Sequence, residues 1–373
     1  MYNEDDKFSA NKDTSADEKR SKKRNNKLLW TVLFIVIAGL SIWMVTLQSR
    51  SFSVREFGEF VVSSFNWWLL ASIVSMLLFI IFEGLAVTSI CRAFGYKKNL
   101  GQGYIYSASN IYFSAITPSA TGGQPASAFF MMRDGIPGTV VTVALLVNLI
   151  MYTFAIIIMG ITAFIIKPSV FFHFTLFSKL LIVFGFFVQL ILALFFILVL
   201  KRKAFLHSIC DAVLRFLGKI RILRNVEKKR EKLSKAIESY NGFVSVISGK
   251  GDVLAKALIL NVLQRFLLVA VTVFAFLAGG GSAADAKDVW VTESMVILGS
   301  NSVPVPGAMG VADYLLLDGF DNMMSESAAV HLELLSRSIS FYFCVLLCGV
   351  SVLVRIIIDG IIKKRKKKAE AGK

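Results

Sequence analysis

The chain has 373 residues, of which 55% are hydrophobic and only 18% charged, with a mean hydropathy of +0.66. That balance excludes an ordinary soluble domain and points to a polytopic helical membrane protein. The net charge of +16 would suggest nucleic acid in a soluble protein, but the basic residues sit in blocks beside apolar runs, where they set topology and meet anionic lipid. No nucleic-acid partner is expected.

Residues 1–27 are polar, lack apolar periodicity and close on Lys19-Arg20-Ser21-Lys22-Lys23-Arg24, which predicts a disordered cytoplasmic tail. A first span is expected over Leu28–Leu47, retained as a signal anchor, and a second over Trp67–Ile90, returning to Arg92, Lys97 and Lys98. Further spans are predicted over Gly138–Ile166, Leu176–Leu200, Val253–Ala278 and Leu334–Ile362. The basic tail of 363–373 follows the last of these. Between Lys201 and Lys256 fourteen Lys or Arg stand against five acids, which places the connecting segment 201–252 inside. Its apolar residues recur at helical spacing, so it reads either as a helix along the inner leaflet or as a solvated connector.

Two stretches break this pattern. The first, Thr117-Pro118-Ser119-Ala120-Thr121-Gly122-Gly123-Gln124-Pro125, cannot continue a helix: proline removes a donor, and paired glycines offer positive φ. The second, Val303-Pro304-Val305-Pro306-Gly307-Ala308-Met309-Gly310, aligns with it as Pro118-x-Ala120-x-Gly122 on Pro306-x-Ala308-x-Gly310. The apolar pieces around each break are shorter than the roughly 20 residues a span needs. Each break is therefore expected to sit in a re-entrant hairpin, the first entering from inside and the second from outside. The expected fold is all-α: about six full spans and two re-entrant broken-helix hairpins in an inverted repeat, filling 28–362.

Polar groups inside apolar sequence carry an insertion cost and are the candidates for function. Around the breaks these are Thr117, Gln124, Asn301 and Asp313, with Gly122, Gly123, Gly307, Gly310, Pro118 and Pro306 shaping the backbone. Glu83, Arg133, Glu293 and Arg265 lie nearby in sequence or on spans. Arg265 falls about 18 Å along its helix, near mid-bilayer. Two readings of it stay open: a buried ion pair with Glu83, Glu293 or Asp313, and a hold on a lipid phosphate. Arg133 and Arg355 read more simply as anchors at the inner interface. Aromatic runs such as Phe171-Phe172 and Phe195-Phe196 read as lipid-facing. No catalytic triad, nucleotide loop or metal-ligand spacing is present in the sequence, so no cofactor, metal or catalytic residue is expected.

The motif Thr117 to Pro125, the run Arg133-Asp134-Gly135-Ile136, and Pro304 to Gly310 followed by Asp313 resemble the lysylphosphatidylglycerol synthase transmembrane family. This is the flippase-like membrane half of the multiple peptide resistance factor. The resemblance spans Leu28 to Lys368 and implies a multi-pass protein of the bacterial cytoplasmic membrane; the basic blocks at Lys19–Arg24 and Lys363–Lys368 place both termini inside. It implies movement of a phospholipid between leaflets, lysyl-phosphatidylglycerol or a related lipid; on the reading of the intramembrane polar residues above, Thr117, Gln124, Arg265 and Asp313 are the expected contacts. Full-length relatives carry a cytoplasmic phosphatidylglycerol lysyltransferase domain, which these residues do not contain, so transferase activity is not expected of them alone. Two rival readings remain: a lysyltransferase component working with a separate synthase partner, and a carrier of a polyprenyl-phosphate lipid.

Overall fold

The structure, a computed structural model, describes residues 54–117, 120–202, 249–303 and 310–371, with positions 208, 212, 242, 244–247, 305 and 308 between them. The expected tail of 1–27, the span Leu28–Leu47, most of segment 201–252, and Pro118, Pro306 and Gly307 lie outside the described residues. All described regular structure is helical.

Five helices are long and apolar enough to cross a membrane, at positions where spans are expected. They are α2 (Trp67–Ala93), α5 (Gly138–Ile166), α7 (Leu176–Lys201), α8 (Gly251–Ala278) and the compound helix formed by α11 (Glu326–Arg337), a π-helical turn (Ser338–Phe343) and α12 (Cys344–Ala371). The compound helix begins at Glu326 rather than Leu334. Ser325 caps it by accepting from Ala328 N, and the ion pair of Glu333 with Arg337 one turn on lets charge enter the helix. A short amphipathic helix, α1 (Val54–Ser63), precedes α2 and is not expected from the apolar runs. Phe60 of α1 stacks on His331 of α11.

Around the breaks lie two helical hairpins. The first is α3 (Leu100–Ile116) and α4 (Gly123–Arg133); the second is α9 (Ala286–Ser300) and α10 (Val311–Phe320). Their helices have 17, 11, 15 and 10 residues, each below the roughly 20 needed to span. A short helix, α6 (Pro168–His173), joins α5 to α7.

The core of the assembly is the α2–α8 pair, the most extensive helix contact. Asn66 caps α2 by accepting from Trp68 N and Leu69 N, and its amide donates to the Ala278 carbonyl at the far end of α8. Ser72 donates to the Val271 carbonyl across the same seam. In an apolar solvent such hydrogen bonds and close packing replace the hydrophobic drive. The hairpins dock on spanning helices through glycine. A Cβ on Gly84 of α2 would lie 2.3 Å from the Gly103 carbonyl oxygen of α3, and one on Gly185 of α7 would lie 2.3 Å from the Leu298 carbonyl oxygen of α9. Both hairpins thus approach a spanning helix backbone to backbone.

Lipid-facing surface is apolar and aromatic. Ile161, Phe184, Phe187, Ile191 and Leu194 are exposed on α5 and α7, and Trp67 and Trp68 stand exposed at the start of α2. Of the aromatic runs, Phe172 and Phe195 are exposed as expected. Phe196 departs from that expectation by turning inward to line a cavity.

Gly84→Ala is expected to cost about 1 to 3 kcal/mol, because the added methyl forces α2 and α3 apart. Gly101→Ala in the same helix α3 meets nothing closer than 3.6 Å and should not destabilise. Thermal unfolding of the two variants in detergent checks this. Equal losses would remove the close approach as the cause.

Candidate functional site

The first break is closed by one hydroxyl. Thr117, in extended conformation at the end of α3, donates Oγ1–H to the Phe113 carbonyl at 2.6 Å and accepts from Gly122 N at 2.8 Å. One side chain therefore binds the last turn of α3 to the start of α4. Gly122 and Gly123 do not supply positive φ, contrary to the expectation from their pairing. They are small because α4 starts against α3: a Cβ on Gly123 would lie 2.0 Å from Ser114 Oγ and 2.5 Å from the Asn110 carbonyl oxygen.

Positive φ falls instead on Ala120, at 53°, and on its aligned partner Ala308, at 51°. Both make the same turn bond, Ala120 N to the Thr117 carbonyl and Ala308 N to the Val305 carbonyl. An L-residue pays about 1 to 2 kcal/mol for this conformation. The two breaks thus share a local geometry as well as a sequence pattern.

The second break is closed by a charge. Gly310, with φ 80°, donates its N–H to Asp313 Oδ2 at 2.8 Å, and Asp313 Oδ1 pairs with Arg337 Nη2. Arg337 Nε also binds Glu333 Oε1 at 3.0 Å. Asp313 and Glu333 are each only 1% exposed.

Between the breaks lies a cavity of about 560 Å³. Gln124 and Ala120 line it from the first hairpin, and Glu293, Asn301 and Ala308 from the second. Glu83 of α2, Arg265 of α8, Gln189 of α7 and the Glu333–Arg337 pair of α11 complete its polar wall. Glu83 accepts from Asn110 Nδ2 at 2.5 Å and from Gln264 Nε2 at 3.1 Å. Asn261 donates to Asn148 Oδ1 at 3.1 Å, and Tyr152 donates to Asn301 Oδ1 at 2.7 Å.

Arg265 is 6% exposed and makes no ion pair among the described residues. Its guanidinium carbon sits 4.8 Å from the centre of the Phe79 ring and 4.6 Å from that of Tyr152. Glu83 lies within Coulombic range but outside contact, and Arg265 Nε has no hydrogen-bond partner. Rings occupy the faces of a guanidinium, whereas its N–H donors lie in its plane. Donors at the edge of Arg265 are thus left uncommitted.

Of the residues expected at the site, the structure brings together Gln124, Arg265, Glu83, Glu293 and Asn301 on the cavity wall. Thr117, Gly122, Gly123, Gly310 and Asp313 frame the breaks, and none of them is part of that wall. The ion pair considered for Arg265 is formed by Arg337 instead: Asp313 and Glu333 are committed to it. Arg133 belongs to a separate network at one end of the molecule. There it pairs with Asp359 at 3.1 Å, while Arg355 bridges Asp359 and Asp134, and Tyr106 and Lys98 also bind Asp134. Glu333 and the ring of Tyr152 were not expected at the site. The spacing Glu333-x-x-x-Arg337 is the signal for the first, and a tyrosine on a span is too common to signal the second.

Asp313→Ala is expected to lower stability by about 3 to 5 kcal/mol, since it removes one partner of a buried ion pair and leaves the Gly310 N–H without its acceptor. Thr117→Val removes a neutral cap and should cost about 1 to 3 kcal/mol. Thermal unfolding of the two variants, run side by side, ranks the caps. A larger loss for Thr117→Val would contradict the charged closure described above.

These features match a known sequence pattern. A family described as lysylphosphatidylglycerol synthase TM region matches residues 29–348. No curated protein and no solved structure matches the chain. The match covers most of the 373 residues, so the chain belongs to the lysylphosphatidylglycerol synthase TM region family and is a multi-pass membrane protein.

Proposed function

We propose that the protein moves a phosphate-bearing phospholipid between membrane leaflets, with the head group passing through the cavity between the two breaks. The observation that carries this reading is Arg265, a buried guanidinium held by rings, without an anionic partner in contact, on the wall of a polar cavity. A phosphate offers two oxygens to a planar fork of N–H donors. Gln124, Asn301 and the broken backbone replace water around the head group, while acyl chains stay in lipid. The family's name, which speaks of a membrane region of a synthase, agrees with a lipid as cargo.

The proposal includes a topology in the cytoplasmic membrane with both termini inside. The first hairpin enters from inside and the second from outside, as two inverted halves. Hairpin helices too short to span, and the shared alanine turn of the two breaks, support it. Cysteines introduced as Gly138→Cys and Asp285→Cys, both at exposed positions, should react with an impermeant thiol reagent only from inside and only from outside, respectively. Outside labelling at 138 would overturn the topology.

Burying an unpaired charge costs stability, so a residue that does so for function should be replaceable at no loss of fold. Arg265→Met is therefore expected to unfold at the same or a higher temperature than the wild type, yet to slow leaflet-resolved lipid transport in liposomes by at least about tenfold, the equivalent of 1.4 kcal/mol. Arg265→Lys keeps a point charge without the fork and should also transport poorly. Near-normal transport by the lysine variant would remove Arg265 from the lipid site.

A further inference from the structure

Around Arg337 the structure gathers more carboxyl groups than one guanidinium can balance. Asp313 and Glu333 bind it directly, and Glu293 faces it within Coulombic range. Asp313 and Glu333 bind the adjacent Nη2 and Nε of that one guanidinium, which crowds two like charges into the same buried space. Glu333 Oε2 and Glu293 Oε2 are buried oxygens with no hydrogen-bond partner. An ionised oxygen in that position lacks the donors it needs, whereas a protonated one can itself donate.

Among the described residues, the neighbouring elements do not supply the missing positive charge. Glu83 of α2 is a further acid, held by Asn110 and Gln264; α5 gives Tyr152, α7 gives neutral Gln189, and Cys344 lies beyond the π-turn. Arg265 of α8, the other cation among the described residues of the wall, is held by Phe79 and Tyr152 and pairs with no described carboxylate. His331 of α11 stacks on Phe60 of α1. The π-helical turn that follows Arg337 directly widens the helix at this point, a feature that recurs at functional sites.

We propose that Asp313, Glu333 and Glu293 form a proton-binding site that couples proton movement to the lipid movement proposed above. This inference rests on that reading for its coupling but not for the proton site itself. One proton is held as an O–H bond on a carboxyl of the cluster, shared between Glu333 and Asp313, while Arg337 balances the remaining charge. A head-group phosphate arriving at Arg265 adds negative charge to the same cavity, which favours proton uptake from water. Departure of the lipid favours release of that proton to water on the other side. The proton is the only species bound and released, and nothing is oxidised or reduced.

Two measurements on the purified full-length chain test this. In detergent, infrared difference spectra taken between mildly acid and mildly alkaline buffer should show the carbonyl stretch of a protonated carboxylic acid that titrates. Glu333→Gln and Glu293→Gln should each diminish it, so that one variant serves if the other does not fold. A wild type without such a band overturns the proton site. In liposomes carrying fluorescent phosphatidylglycerol, a gradient of one pH unit should drive accumulation in one leaflet by up to about tenfold for one coupled proton. Glu333→Gln should lose the response. Transport by the wild type that ignores the pH gradient, or follows a sodium gradient instead, overturns the coupling. Absence of any lipid movement by the wild type would sink the translocation reading instead and leave the infrared band to decide the proton site.

Discussion

The structure depends on one constraint: a helix broken in hydrocarbon must find partners for the N–H and C=O groups that the break releases, because no water is there to meet them. Two solutions are present, and they differ in kind. At the first break a neutral hydroxyl, Thr117, serves as donor to Phe113 and acceptor from Gly122. At the second a carboxylate, Asp313, accepts from Gly310 and must then be balanced. Balance brings in Arg337, and Arg337 brings in Glu333. Charge enters the interior through the need to close a backbone turn, and the chemistry of the cavity follows from that choice.

Close approach is the second consequence. Hairpins too short to span gain little from lipid contact, so they are held by the helices around them. At Gly84 with Gly103, and at Gly185 with Leu298 and Gly299, a backbone carbonyl lies where a side chain would otherwise stand. Small residues let backbones meet and hold the hairpin tips at a fixed depth. At the tips the strain resides in Ala120 and Ala308, whose left-handed φ turns each chain sharply before the next helix begins. Two alanines at aligned positions of the two breaks thus take the same uncommon conformation.

Much of this was legible in the sequence, for physical reasons that can be named. Apolar length located five helices from Trp67 to Ile362, and the short pieces beside Thr117 and Val303 marked both hairpins, since hydrocarbon thickness sets these lengths. Arg265 stood out because a guanidinium at mid-span must have a reason to be there. Its environment was not legible, because aromatic rings at Phe79 and Tyr152 carry no charge signal. Nor was it legible that Asp313 would reach Arg337 rather than Arg265, a choice fixed by how α10 packs on α11. The glycine pair was misread for a related reason: Gly122 and Gly123 answer to Ser114 and Asn110 across the hairpin, a tertiary contact, and not to their own dihedral freedom. Thr117 was read as a ligand contact, and the backbone claimed it first.

The two arginines of the cavity show how environment assigns roles to identical side chains. Arg337 has its Nε and Nη2 donors taken by carboxylates, and one of them, Asp313, is held in place by the Gly310 N–H. A ligand phosphate competing for Arg337 would have to displace a buried anion, which costs several kcal/mol. Arg265 meets aromatic faces instead. Cation–π contact stabilises a guanidinium by about 0.5 to 2 kcal/mol, enough to orient it but far less than an ion pair in the same low dielectric. It also leaves the in-plane donors uncommitted. Tyr152 adds to this selectivity, because its hydroxyl is anchored on Asn301 at the second break and holds the ring in place. In the proposed function an arriving anion would therefore meet one guanidinium already matched and another held open, and the difference in displacement cost would direct it to Arg265.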